Sequence, residues 1–208
     1  MPHHKNQIVK EKINEILIDI NKTQDRNIVI IDYGNVQKWE EGLRWKIGIK
    51  ELRKLIKHFT KGKQFLRRFY YGSDFGSKEK SKTLTPWSSM VLNKAKMNAF
   101  EIQTKRVKYI PDRNYEAGFI KKCNFDVEIS VDLIKESKNY DKIILFSGDG
   151  DFGYLLEYLN NKYSKDCIVF GARGHIGKEL YDAKDKGIVS DILYAEDFEY
   201  RLNMYRFR

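Results

Sequence analysis

The sequence predicts an α/β fold of three layers, with a mostly parallel central sheet and an additional N-terminal helix. Two observations predict it. First, short continuous apolar runs such as that within 27–32 (NIVIID) and 143–146 (IILF) have the length and hydrophobicity of strands buried on both faces. Second, these runs alternate with longer segments of helical periodicity, the pattern of βαβ units.

In order, Ile8, Val9, Ile13, Ile16, Leu17 and Ile20 make residues 5–21 an amphipathic helix, able to pack on the core or on a partner. Residues 27–32 form the first strand, and Tyr33-Gly34-Asn35 the turn leaving it. Residues 38–59 are helical, with Gly48 as a point of interruption. Residues 64–71 form the second strand, and 72–84 a mobile, polar and basic loop. A helix over 87–98, a strand over 100–108 and an irregular segment over 109–117 follow. Residues 126–137 are helical: Val127, Val131 and Ile134 share one face, and Glu128 and Asp132, four apart, share another. The fourth strand ends at Phe146, a helix spans 152–161, and 166–170 is the fifth strand. Gly171 to Gly174 open a helix running to about residue 184, and 191–194 is a short last strand. The spacing of Gly171, Gly174 and Gly177 is not that of a dinucleotide-binding loop, so they read as turn glycines. The chain divides into an N-terminal helix (1–24), one domain (25–198) and a basic aromatic tail (199–208).

The 208 residues carry a net charge of +10, unevenly placed. Residues 61–122 hold fifteen Lys+Arg against five Asp+Glu, the whole excess, while the first 60 residues (+4) and the last 86 (−4) cancel. A solvated lysine-rich surface is the bland reading. The functional one is a footprint for a phosphate backbone, with Lys105, Arg106, Lys108, Arg113, Lys121 and Lys122 as candidate contacts. Phe65, Phe69, Tyr70, Tyr71, Phe75, Trp87, Tyr109 and Tyr115 are interleaved there. Those that are exposed suit stacking on unpaired bases. No apolar run approaches membrane-spanning length, and the first residues lack the apolar core of a signal peptide. Cys123 and Cys167 each stand alone in apolar surroundings, as buried thiols of a cytoplasmic protein do. The four histidines form no ligand pattern.

The acids carry the chemistry. Asp32 ends the first strand, Asp149 and Asp151 follow the fourth, and Asp126 opens a helix. With strands one and four as neighbours, these carboxylates converge at one sheet edge, where open α/β sheets bind ligands. Clustered carboxylates need protons or cations to neutralise them, and hard oxygen donors without Cys or His select Mg²⁺ or Mn²⁺. Such a cation beside a basic surface suits phosphodiester hydrolysis. Each acid also has a plainer reading: Asp32 as a turn or cap residue, Asp126 as an N-cap as well as a ligand, Asp151 as the cap of the next helix, Glu128 as a solvated helix residue.

Three segments together resemble the NYN domain, a branch of the PIN-like nucleases that includes the LabA-like proteins. They are Ile31-Asp32-Tyr33-Gly34-Asn35-Val36, then Lys122 through Asp126-Val127-Glu128-Ile129 to Asp132, then Ser147-Gly148-Asp149-Gly150-Asp151-Phe152. The Lys122-to-Asp126 spacing is one residue longer than the common compact version. The resemblance implies a Rossmann-like sheet of the PIN type and metal-dependent RNA cleavage; with the residue chemistry above, the overall reading is a cytoplasmic, Mg²⁺- or Mn²⁺-dependent endoribonuclease acting on single-stranded or loop RNA. The resemblance makes Asp32, Asp126, Asp149 and Asp151 the catalytic metal ligands, Asn35 and Ser147 their polar supports, Asp132 a second helical acid and Lys122 a phosphate contact. The N-terminal helix and tail remain candidates for self-association or a protein partner. Two other readings compete. One is an RNA-binding NYN protein with little or no hydrolysis. The other is a haloacid-dehalogenase-like phosphatase, whose second acid two residues after the nucleophile is missing after Asp32.

Overall fold

Ile28, Val29, Ile30 and Ile31 are completely shielded from solvent, as expected of a strand at the centre of a covered sheet. The structure, a computed structural model, describes residues 2–22, 26–43, 45–60, 65–77 and 81–202. Strand β1 (Asn27–Asp32) sends Val29 and Ile31 into one core and Ile28 and Ile30 into the other. This period-two alternation divides two helical layers.

Six parallel strands form the sheet: β1, β2 (Phe65–Ser73), β3 (Glu101–Arg106), β6 (Lys142–Phe146), β7 (Asp166–Gly171) and β8 (Val189–Tyr194). Their order is β3-β2-β1-β6-β7-β8. The chain therefore winds outward from β1 in one direction and from β6 in the other. On one face lie α1 (Pro2–Lys22), α2 (Tyr33–Lys38), α3 (Glu40–Leu43), α4 (Ile49–Phe59) and α5 (Pro86–Met97). On the other lie α6 (Asp126–Lys135), α7 (Phe152–Tyr163) and α8 (Lys178–Asp185). The apolar stripe of α1, with Ile13, Leu17 and Ile20, is buried in the first core, together with Phe198 and Leu202 near the end of the chain. Among the described residues, no helix is long and apolar enough to cross a membrane.

Several elements differ from the sequence-based expectation. Tyr33-Gly34-Asn35 is the start of α2 rather than a turn, because the Asp32 side chain caps it, accepting from the Asn35 amide at 3.4 Å. The helix expected over 38–59 is three pieces, and Gly48 is the N-cap of α4. The segment after β3, expected to be irregular, folds into an antiparallel hairpin, β4 (Lys108–Pro111) with β5 (Phe119–Lys122). The glycines at 171 and 174 do not open a helix; α8 starts at Lys178 with Gly177 as its N-cap. The tail forms one short helix, α9 (Glu199–Leu202), and residues 203–208, like 78–80 of the basic loop, lie outside the described residues. Both cysteines are free thiols, Cys167 buried and Cys123 half-buried.

Candidate active site

Parallel pairing of β1 with β6 aligns Ile31 with Phe146, so Asp32 and Ser147 leave adjacent strands side by side. This is where the winding direction reverses, the crevice position of ligands in open α/β sheets. Ser147 is fully buried, and its hydroxyl donates to Asp32 Oδ2 at 3.2 Å. Asn35 fastens the two strand ends together. Its Oδ1 accepts from the Gly148 amide at 3.0 Å and from the Trp39 indole N–H at 2.9 Å. The Asp149 amide donates to Ser147 Oγ at 3.2 Å, and the Asp151 amide to Asp149 Oδ1 at 3.1 Å.

Glycine is needed at 148 for space, not for a positive φ, which neither Gly148 nor Gly150 has. A Cβ on Gly148 would lie 1.7 Å from the carbonyl oxygen of His175, on the loop whose Gly177 amide donates to Gly148 O at 2.8 Å.

Asp126 arrives from the opposite helical layer. It is the first residue of α6, not its N-cap; Phe125 holds that place and makes no side-chain cap. Phe125, Ile129 and Leu133 root α6 in the core, with the Phe125 ring 5.7 Å from that of Tyr70. The Asp126 carboxylate accepts from Asn124 Nδ2 at 2.9 Å.

Asp32, Asp126 and Asp149 line one cleft of about 490 Å³ together with Lys121, Lys122 and Trp87. Burial first, then the charges of Asp126 and Asp149, push the Asp32 carboxyl up to about 6, against hydrogen bonds from Asn35 and Ser147 that favour its anion. Burial, and then the charges of Asp149 and Asp151, raise the Asp126 carboxyl. Asp151 itself is exposed and lines a neighbouring groove between α7 and α8. It occupies the N-cap position of α7 without capping it through its side chain.

The charged donors facing the cleft's acidic end are carboxylate oxygens, which fit Mg²⁺ or Mn²⁺. Among the described residues, no three His, Cys, Asp or Glu side chains are grouped closely enough to enclose an ion. That arrangement suits a cation that keeps several waters and is held through one or two carboxylates and a substrate phosphate.

Asp132 is placed elsewhere. Its carboxylate accepts from Tyr70 Oη at 2.7 Å and pairs with Arg68 at 3.4 Å, and Arg68 also pairs with Glu136 at 2.8 Å. Of the six basic candidates, two line the cleft, Lys121 and Lys122. Lys121 is paired with Asp74 at 2.8 Å and Lys105 with Glu128 at 2.5 Å. Arg106 donates to the Ser81 carbonyl at 2.9 Å. Lys108 lies on β4, and Arg113 is exposed between the hairpin strands. Sequence reasoning did not single out Lys38 and Asn124, which also line the cleft. The short spacing of Lys38 from Asp32 along α2 was the available signal, hidden by reading 33–35 as a turn.

The NYN domain family profile matches residues 26–191. The chain is 35% identical over 89 residues to the low amplitude and bright protein LabA of Synechococcus elongatus, covering 43% of this chain and 47% of that protein. It thus spans about half the length of that curated relative. A crystal structure of a protein of unknown function from Vibrio parahaemolyticus shares the fold, with a TM-score of 0.61 and 22% identity, over 83% of this chain and 94% of that one. The strand-end carboxylates, the parallel sheet that gathers them and the extent of the profile match agree: the chain belongs to the NYN domain family of PIN-like nucleases and RNA-binding proteins.

Proposed function

We propose that this protein is a divalent-cation-dependent endoribonuclease that hydrolyses phosphodiester bonds of single-stranded or loop RNA. The observation that carries the reading is the meeting of Asp32, Asp126 and Asp149 in one cleft that also holds Lys121 and Lys122. Carboxylates alone would repel an RNA backbone; lysines alone would bind it without chemistry.

Asp32, Asp126 and Asp149 would face the Mg²⁺ or Mn²⁺, one or two of them as direct ligands, with Asp151 adding negative potential beside Asp126. A bound cation of this kind activates water and stabilises charge on the leaving oxygen. The chain's own residues set the stage. Ser147 and the Asn35 amide fix both oxygens of Asp32, so the carboxylate needs no reorganisation when the substrate arrives. Asn35 locks the β6 turn to α2, which sets the distance between Asp32 and Asp149. Lys122 holds a phosphate oxygen and draws the backbone toward the acids.

The test is cleavage of end-labelled single-stranded RNA with Mn²⁺, with chelator, and with Mn²⁺ restored in excess over chelator. Cleavage that stops with chelator and returns with Mn²⁺ supports the proposal, and cleavage indifferent to chelator refutes it. A second reading, an RNA-binding protein without hydrolysis, draws on the lack of a three-ligand cluster among the described residues. Retention of intact RNA under all three conditions would favour it.

A further inference from the structure

Trp87 is a large aromatic residue left 55% exposed in a chain whose other two tryptophans, Trp39 and Trp45, are buried. It lines the same cleft as the carboxylates. Its position is built rather than incidental. Thr85 caps α5 by accepting from the Ser88 amide at 3.3 Å, and Pro86 takes the first turn, so the indole projects from a rigid helix start. Asp74 ties that helix start to the basic hairpin. Its carbonyl accepts from the Thr85 amide at 2.8 Å and its amide donates to Ser88 Oγ at 3.0 Å. Its carboxylate accepts from Tyr109 Oη at 2.6 Å and from Lys121 at 2.8 Å. One residue therefore fixes the indole and a lysine at the same cleft.

An exposed indole in one cleft with lysine ammonium groups and a carboxylate centre has the chemistry of a stacking platform for an unpaired nucleobase whose phosphate is held by lysine. A base within a duplex is already stacked on both faces and cannot use it. We infer that Trp87 is a base-stacking residue that makes the cleft select RNA with an unpaired nucleotide beside the phosphate facing Asp32, Asp126 and Asp149. This rests on the proposed nuclease reading for the identity of the polymer, and names the residue that chooses its single-stranded form.

The test uses the full chain in chelator, so that nothing is cut, with fluorescein-labelled oligoadenylate, alone or annealed to its complement. Binding is followed by the anisotropy of the labelled RNA titrated with wild type or Trp87 variants, and by intrinsic tryptophan emission with unlabelled RNA. Because Trp39 and Trp45 are shielded, quenching of that emission by RNA reports on Trp87. The single strand is expected to quench emission in the wild type. Trp87→Leu should lose the quenching and bind the single strand about tenfold more weakly, with duplex binding unchanged. Trp87→Phe, which keeps a ring, should recover part of the affinity. Equal single-strand affinity in wild type and Trp87→Leu, or an equal loss for single strand and duplex, overturns the inference while leaving the nuclease reading intact. Absence of any RNA binding by the wild type overturns both.

Discussion

The hydroxyl of Ser147 donates to Asp32 Oδ2 across the boundary between two parallel strands at 3.2 Å. That single bond joins residues 115 apart in sequence, and it belongs to a site where three carboxylates converge.

Burying Asp32, and then setting it beside two other carboxylates, has a cost in stability that can be measured. Asp32 titrates near 6 in the folded protein and near the ordinary 3.8 when unfolded, so between these values the native state binds more protons. Stability conferred by protonation is then fully present below about 4 and is lost as pH rises through about 6. Urea midpoints taken without divalent cation should fall across that window. Asp32→Asn should flatten the fall and stabilise the protein at neutral pH by about 1–3 kcal/mol, one pKa unit being worth about 1.4 kcal/mol.

A cation that neutralises these carboxylates should stabilise the fold by binding only the native state. Mn²⁺ is expected to raise the melting temperature of the wild type in a concentration-dependent manner. Asp126→Asn and Asp149→Asn should shift less, each lacking one of the charges that the ion neutralises. A thermal melt with and without Mn²⁺ reads both.

Gly148→Ala should be damaging despite its size. The added methyl would meet the His175 carbonyl oxygen at 1.7 Å, and its nearest neighbours are all backbone atoms of His175 and Ile176, with no side chain to swing away. Overpacking of this kind costs about 1–3 kcal/mol, and here it also displaces the turn between Ser147 and Asp149. The expected result is a lower urea midpoint together with reduced cleavage.

Asp132 separates structure from chemistry. It is bound by Arg68 and Tyr70 rather than facing the cleft. Asp132→Asn is expected to lower stability by about 1–3 kcal/mol through loss of a charge-assisted hydrogen bond, and to leave the cleavage rate at saturating RNA unchanged. Equal loss of rate in Asp132→Asn and Asp126→Asn would place Asp132 in the catalytic set instead.

Much of the fold was legible because it rests on local rules. The runs 27–32 and 143–146 read as buried strands, and the acids at the end of the first and just beyond the second marked the switch point. Long-range closeness was not legible. Nothing in the spacing of Arg68, Tyr70 and Asp132 reveals that β2 and α6 bring them together; Asp132 entered the candidate set only through the family resemblance. The helix at Tyr33 was hidden because its start depends on a side-chain cap from Asp32. The hairpin of β4 and β5 was obscured by Pro111 and the turn residues near it. Trp87 was visible as an aromatic within a basic section, but its exposure, unlike the burial of Phe69 and Tyr70, depends on tertiary packing alone.

Lys122→Ala should weaken RNA binding for all sequences alike and reduce the slope of log affinity against log salt by about 1. Lys105→Ala should change the slope less, since Glu128 already offsets that charge. Filter binding in chelator across a salt series distinguishes them.

The most direct test of the central claim is the rate of single-stranded RNA cleavage in Mn²⁺ by wild type and by Asp126→Asn, purified side by side and shown to be folded. The account predicts cleavage by the wild type and its abolition in the variant, with RNA still bound. Cleavage at an undiminished rate in Asp126→Asn would contradict a nuclease centre built on these carboxylates.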